Sequence, residues 1–206
     1  MQISNFVRSL AVFVLALVVA ACGSKTPQLA KLAPGDVIVA FGDSLTYGTG
    51  AAEHESFPAV LEQLIARKVV RAGVPGEVTA QGLERLPEVL DEYRPKLVII
   101  CLGGNDMLRQ LGEAQTVANL RAILRKVRES GAQAVLVGVP RPALLTSAPQ
   151  FYADLAEEFG IPYESAVVTG VLYKSELRSD PIHPNAQGYR KIAEALADLL
   201  RKSGAV

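Results

Sequence analysis

Short apolar runs alternate with longer amphipathic segments along most of the chain. Five short runs favour strands because they are apolar and bounded by turn residues, and the run at 96–104 is continuously apolar, as in a strand covered on both faces. The predicted strands are 36–41, 69–73, 96–104 and 132–140, and residues 161–165 lead to a short fifth strand.

The longer segments repeat apolar residues at helical spacing, and the first of them also carries start signals. In residues 56–68, Ser56 is a predicted N-cap and Pro58 lies in the first turn. The predicted helices are 56–68, 82–94, 114–131, 148–160 and 184–204. Alternation of strands with helices predicts an α/β fold with a mostly parallel sheet, in which ligands bind at the carboxyl ends of the strands.

The N-terminal segment has the layout of an export signal rather than of a folded element. Arg8 precedes an apolar run at 10–21, and small residues lead to Cys22. The sequence VAAC at 19–22 resembles the lipobox of bacterial lipoproteins, in which the cysteine is lipidated and becomes the first residue. We therefore expect a signal peptide at 1–21, lipidated Cys22 with a tether at 22–35, and a domain at 36–206. The alternatives are a plain transmembrane anchor and an ordinary cleaved signal.

Composition narrows the classes of partner and cofactor. The chain has 206 residues, enough for one domain, and 21 basic side chains balance 21 acidic ones. A nucleic-acid partner is not expected, since it would usually require a basic excess. The two cysteines, Cys22 and Cys101, form no C-x-x-C pair for zinc or redox chemistry. Cys101 lies in an apolar run and is predicted to pack as a small core side chain.

Polar motifs follow each of the first three predicted strands: GDSL at 42–45, AGVPGE at 72–77 and GGND at 103–106. The first of these could be a phosphate-binding loop or could present Ser44 as a nucleophile. A phosphate loop of the G-x-x-x-x-G-K-[ST] type requires a lysine, and residues 32–66 contain neither Lys nor Arg. The pattern G-x-G-x-x-G is also absent after the first strand, so the nucleophile interpretation is favoured.

A serine nucleophile needs a base and donors for the oxyanion. Of the two histidines, His54 is predicted on an exposed loop, whereas His183 follows Asp180 by three residues. A carboxylate at that spacing can hold the histidine Nδ1–H and fix its tautomer. The alternative is that Asp180 caps a turn and His183 merely flanks the last helix. The Asn105 amide can stabilise an oxyanion or, alternatively, brace its own turn.

The four blocks GDSL, AGVPG, GGND and DPIH, in this order, resemble those of the SGNH hydrolases, also called GDSL esterases. The likeness extends from about residue 36 through the last helix. It is greatest to the bacterial multifunctional thioesterase–protease–lysophospholipase type and to related arylesterases. The resemblance implies a flavodoxin-like, three-layer α/β/α sandwich with a five-stranded, mostly parallel sheet.

The resemblance also implies a role for each matching residue. Ser44 is the nucleophile, His183 is the base, and Asp180 orients the base. The oxyanion hole consists of the backbone N–H groups of Ser44 and Gly76 together with the side-chain amide of Asn105. These assignments are predictions for the structure and for experiment.

The second block departs from the family pattern, which usually reads Asn-Ala-x-x-Ser-Gly. Arg71 stands here for the Asn and Pro75 for the Ser. Gly76, rather than Gly73, is assigned to the oxyanion hole because it precedes the acidic residue Glu77. A changed loop angle is one expected effect of Pro75.

The expected function is hydrolysis of aryl, acyl or thio esters through an acyl-enzyme, with a small-molecule or lipid ester as substrate. The alternatives are deacetylation of O-acetylated cell-envelope sugars and an inactive surface binding lipoprotein. No cofactor is implied, and no metal is expected, because the two histidines are far apart and lack carboxylates at ligand spacing.

The expected location is the cell envelope, with the membrane contacted through lipidated Cys22. In a Gram-negative cell the outer membrane is favoured, because Gly23 and Ser24, not Asp, follow the cysteine. The loop 139–150, with Ala143, Leu144 and Leu145, is the expected acyl-binding loop. Nothing in the sequence indicates the oligomeric state.

Overall fold

A five-stranded, all-parallel sheet forms the centre of the computed structural model, which describes residues 26–141 and 147–206. The strand order is β2-β1-β3-β4-β5. The strands are β1 Ile38–Gly42, β2 Val69–Gly73, β3 Leu97–Cys101, β4 Gln133–Val137 and β5 Tyr163–Glu164. The predicted α/β class and the parallel five-stranded sheet are confirmed.

Helices cover both faces of the sheet and complete the three layers. They are α1 Ser44–Tyr47, α2 Phe57–Ile65, α3 Thr79–Tyr93, α4 Gly104–Leu108, α5 Glu113–Glu129, α6 Gln150–Phe159, α7 Val167–Tyr173 and α8 Ala186–Lys202, with short 3₁₀ helices at Glu53–Glu55 and Ser175–Leu177. Helix α2 packs against α8, and α3 packs against α5. Over the described ranges, no helix has both the length and the apolar character needed to cross a membrane.

The central strands are buried along their whole length. Every residue of β1 and β3 is buried, because each strand has a neighbour on both sides and helices on both faces. Cys101, the last residue of β3, is 2% exposed. Burial raises the pKa of its thiol well above the usual value. Cys101 therefore packs as a small side chain in the core, as predicted, because its thiol is buried and uncharged.

Helix α8 runs from the carboxyl edge of the sheet to its amino edge. Its N-cap is Asn185, whose side chain accepts a hydrogen bond from the Gly188 N–H at 3.0 Å. The helix therefore begins after Pro184, two residues later than the sequence pattern suggested. Its apolar stripe, which includes Ile192, Leu196 and Leu200, is buried.

Folded contacts begin before residue 36, where the domain was predicted to start. The Leu29 N–H donates to the Ser203 carbonyl at 2.8 Å, and the Leu32 N–H donates to the Ala205 carbonyl at 2.9 Å. The Leu32 side chain is 2% exposed. The part of the predicted tether around residues 28–32 is thus packed, because its backbone bonds the residues that follow α8 and its leucines join the hydrophobic core. Signal residues 1–21 and Cys22 lie outside the described residues.

Candidate active site

The turn after β1 places Ser44 at the carboxyl edge of the sheet. Ser44 begins α1, and the strand order reverses between β1 and β3, which opens a crevice of the kind that binds ligands in such sheets. The preceding Gly42 is required by a close approach of backbones. A Cβ at that position would lie 2.1 Å from the Cys101 carbonyl oxygen and 2.4 Å from Thr46 Oγ1.

Ser44, His183 and Asp180 form one chain of hydrogen bonds, although Ser44 is distant from the other two in sequence. His183 Nε2 lies 3.0 Å from Ser44 Oγ, and His183 Nδ1 lies 2.7 Å from Asp180 Oδ2. The structure thus brings together the three residues predicted as nucleophile, base and orienting acid. His54, as predicted, is exposed, in the 3₁₀ helix Glu53–Glu55.

Asp180 both caps a turn and binds the histidine. The turn cap of the alternative interpretation is therefore present, but His183 does not merely flank the last helix, because it bonds Asp180 and Ser44. Its Oδ1 accepts the backbone N–H groups of Ile182 and His183, each at 2.9 Å. Partial burial acts to raise the pKa of the Asp180 carboxyl, but the hydrogen bonds from His183 and Ile182 outweigh it and the pKa is lowered. The carboxylate is therefore ionised at neutral pH and holds the imidazole with Nε2 toward Ser44.

A second carboxyl, that of Asp43, lies beneath the nucleophile. Its Oδ1 accepts the Leu45 N–H at 3.0 Å, and its Oδ2 accepts the Asn105 amide at 3.2 Å. Asp43 is 2% exposed. Burial raises its pKa to about 7, the Leu45 hydrogen bond opposes that rise, and the nearby charges of Glu77 and Asp106 add to it. Asp43 is thus a brace for the nucleophile turn and for Asn105.

Asn105 joins the loops after β1, β2 and β3. Besides its contact with Asp43, its Nδ2 donates to the Glu77 carbonyl at 3.0 Å. The side chain lines the same cavity as Ser44 and His183. Among the described residues, the backbone N–H groups of Ser44 and Gly76 make no hydrogen bond. The cavity is therefore bordered by two backbone N–H groups without a partner in the described part of the chain, and by one amide that already donates to Asp43 and Glu77.

The two glycines of the loop after β2 have different surroundings, and only Gly76 is placed to line the cavity. Gly73 packs against α1, since a Cβ there would lie 2.3 Å from the Tyr47 nitrogen. Gly76 lines the cavity and has a φ of +79°. The Glu77 N–H bonds the Val74 carbonyl at 3.1 Å, which together with that φ describes a type II turn. Pro75 occupies the position of this turn that favours proline, so it fits the loop.

Two buried carboxylates, those of Glu77 and Asp106, hold the surrounding loops, and sequence patterns did not identify them. Glu77 is 5% exposed and accepts two hydrogen bonds at 2.8 Å from Arg85. Asp106, also buried, accepts the backbone N–H of Thr79 at 2.8 Å and its hydroxyl. Both carboxylates fix the start of α3 relative to the site. Since these residues are polar and lie outside any period, only the folded arrangement reveals their burial.

A cavity of about 210 Å³ opens beside Ser44 and His183. Its wall is mainly apolar, with Leu45, Leu108, Val139, Pro140, Leu172 and Ile182 among the lining residues. Val139 and Pro140 belong to the predicted acyl-binding loop, whereas Ala143, Leu144 and Leu145 lie outside the described residues. Leu172 was missed because the short α7 was not predicted as a helix.

Comparisons with known proteins agree with this geometry. Residues 40–191 match the sequence pattern of the GDSL-like lipase/acylhydrolase family. The thioesterase 1/protease 1/lysophospholipase L1 of Escherichia coli K12 is 33% identical over 179 residues, covering 83% of this chain and 86% of that protein. The arylesterase of Vibrio mimicus is 29% identical over 199 residues, covering 91% and 97% respectively.

A solved structure is also similar to this chain in fold and in sequence. The esterase AlinE4, described as a member of the SGNH-hydrolase family, superposes with a TM-score of 0.64 at 31% identity, covering 85% of this chain and 100% of that one. The family match extends from the last part of β1 into α8 and so includes all the blocks that form the site. The chain belongs to the GDSL-like lipase/acylhydrolase family and is an ester hydrolase.

Proposed function

We propose that the chain cleaves carboxylic esters through a covalent acyl-enzyme on Ser44. The observation that carries the proposal is the continuous hydrogen-bond chain from Ser44 Oγ through His183 to Asp180. His183 Nε2 takes the hydroxyl proton as Oγ attacks the ester carbonyl carbon, and it then gives that proton to the leaving alcohol or thiol. A water molecule then attacks the acyl carbon while the same nitrogen takes its proton. That proton passes to Ser44 Oγ as the bond from Oγ to the acyl carbon breaks and the acid leaves.

The developing oxyanion is bound by the backbone N–H groups of Ser44 and Gly76 and by the Asn105 amide. This assignment is supported by the cavity that all three border and by the two N–H groups that lack acceptors among the described residues. The two backbone donors are placed in advance and stabilise negative charge as it forms. The Asn105 amide donates to Asp43 and to the Glu77 carbonyl, so one of its N–H groups turns from these acceptors to the oxyanion.

The substrate class is an ester or thioester with an apolar acyl or aryl group. Support comes from the apolar wall formed by residues such as Leu45, Val139 and Leu172 next to the nucleophile. The names of the relatives, thioesterase, lysophospholipase and arylesterase, fall in the same class. An inactive binding protein would not need a base aligned with a serine, so the geometry favours an enzyme.

The mechanism is tested by replacing the nucleophile. Ser44→Ala is expected to reduce kcat for a p-nitrophenyl ester on the order of 10⁴-fold, because nucleophile and base act as one unit. A phosphonate inhibitor is expected to add its mass to the Ser44 peptide of the wild type. Ser130→Ala is the matched control, since Ser130 Oγ only donates to the Val127 carbonyl at the end of α5. Retained turnover in Ser44→Ala would exclude the mechanism.

We also propose that Cys22 is lipidated and anchors the enzyme in the cell envelope. The support is the sequence of residues 19–22 with the apolar run before it. More than one acyl chain is needed for stable anchoring, and bacterial lipoproteins usually carry two or three. Labelled palmitate is expected to enter the wild type but not Cys22→Ser. An unlabelled, periplasmic wild type would identify residues 1–21 as an ordinary cleaved signal.

A further inference from the structure

The catalytic cavity and the N-terminal segment lie at opposite ends of α8. The helix begins at Ala186, just after His183, and its 17 residues span about 25 Å. At its far end, Arg201 donates to the Leu64 carbonyl near the end of α2, just before β2 begins. That end is the amino edge of the sheet, whereas Ser44 and His183 lie at the carboxyl edge.

Residues 28–32, here called the N-terminal strap, are fixed to this amino edge. The strap's backbone donates to the carbonyls of Ser203 and Ala205, as described above. Gln133, the first residue of β4, accepts from the Ala30 N–H and donates its own amide to the Ala30 carbonyl at 3.0 Å. The Gln28 amide donates to the Lys202 carbonyl at 3.3 Å and to the Thr26 carbonyl at 2.9 Å. The chain is therefore bonded to the amino edge through Gln28, whose amide also links Thr26 to it.

Little chain remains between the strap and the lipidation position. Fully extended, residues 22–26 reach at most about 14 Å, which is less than the length of α8. If the strap were released up to residue 36, the available reach would be about 48 Å. Strap contacts thus decide whether the cavity can come to the surface of the membrane that holds the lipid.

We infer that the cavity opens away from the anchoring membrane and takes esters that arrive dispersed in water rather than lipids of that membrane. This inference rests on the lipidation of Cys22 proposed above. The exposed apolar side chains Tyr47, Val74 and Leu108 follow the carboxyl ends of β1, β2 and β3. Of these, Leu108 lines the cavity, whose wall is mainly apolar. An apolar cavity that faces the aqueous side suits amphiphilic acyl esters or acyl thioesters captured one at a time.

The orientation is tested on residues 22–206 coupled through Cys22 to a maleimide phospholipid in vesicles. This form keeps every described residue of the fold, and Cys101, 2% exposed, does not compete for the maleimide. A photo-crosslinking amino acid replaces either Lys202, exposed at the amino edge, or Leu108, exposed at the cavity mouth. Crosslinking to bilayer lipid is expected to be several-fold stronger from position 202. Equal or stronger crosslinking from position 108 would overturn the orientation.

A longer tether provides the second variant. About 15 Gly and Ser residues inserted between Ser24 and Lys25 add a flexible span of roughly 20 Å, so crosslinking from position 108 is expected to rise. The matched control adds the same segment after Val206, where it gives no reach, and is expected to leave crosslinking unchanged. An insertion without effect would show that strap and tether do not set the orientation.

The two proposals fail separately. Because the vesicle attachment is chemical, its result does not depend on whether a cell lipidates Cys22. Absence of palmitate from the wild type would remove the proposed anchor, whereas a cavity found at the vesicle surface would remove only the orientation.

Discussion

Two carboxyl groups serve the same site from opposite environments. Asp180 has a side chain that is 46% exposed, and its pKa is lowered by hydrogen bonds from His183 and Ile182 that outweigh partial burial. Asp43 is fully enclosed, and burial raises its pKa to about 7. Each binds one predicted catalytic partner, His183 for Asp180 and Asn105 for Asp43.

The difference shows which carboxyl can support charge development. In the proposed mechanism, an ionised Asp180 stabilises the imidazolium that forms when His183 accepts the serine proton. A full negative charge on Asp43 would lie near the developing oxyanion, so the high pKa of Asp43 reduces that cost around neutral pH. Opposite pKa shifts in one site therefore separate an electrostatic role from a positioning role.

The largest effect is expected from Asp180→Asn. The amide cannot hold the imidazole as a negative carboxylate does and favours the wrong tautomer, so kcat is expected to fall on the order of 10⁴-fold. Steady-state kinetics with a p-nitrophenyl ester measures this. A loss below tenfold would mean that the backbone around residues 180–183, rather than the carboxylate charge, orients His183.

Next in size is Asn105→Ala, which removes the partner of Asp43. One lost oxyanion donor is expected to reduce kcat roughly 10²–10³-fold while KM changes little, because the oxyanion is charged only near the transition state. Asn119→Ala is a matched control, since the Asn119 amide donates to the Thr79 hydroxyl in the interior. A change confined to KM in Asn105→Ala would assign Asn105 to substrate binding alone.

The contacts and elements that could be predicted from the sequence are those that depend on residues close together in the chain. Asp180 and His183 are three residues apart, so their contact follows from spacing, and the periodicity of the long α8 identified it as a helix. By contrast, Asp43 and Asn105 are 62 positions apart and meet only because β1 and β3 are adjacent. Helix α1, with four residues, is too short for a periodic pattern. The strap was missed because its few leucines lie among polar and turn residues.

The smallest effect on turnover is expected from Asp43→Asn. An asparagine at 43 can still accept the Leu45 N–H, but its own NH₂ cannot accept the Asn105 amide, so Asn105 loses one of two contacts. A fall in kcat of about tenfold is expected, smaller than for Asn105→Ala because the bond to the Glu77 carbonyl remains. A larger fall than in Asn105→Ala would place Asp43 in the chemistry itself.

The same variant tests the pKa contrast through stability. Because the pKa of Asp43 is raised from 3.8 to about 7 on folding, the folded state binds more protons between these values. The free energy of unfolding contributed by Asp43 therefore falls as pH rises from about 4 to 7, by up to about 4 kcal/mol. Asp180, with its lowered pKa, contributes with the opposite sign, because the stabilisation that its carboxylate provides is lost as pH falls below about 4.

Urea unfolding at pH 4.5 and pH 8 is expected to show Asp43→Asn gaining stability relative to the wild type at the higher pH. Parallel pH dependence in the two proteins would mean that Asp43 is ionised in the folded state throughout this range, and the contrast between the two carboxyls would be lost.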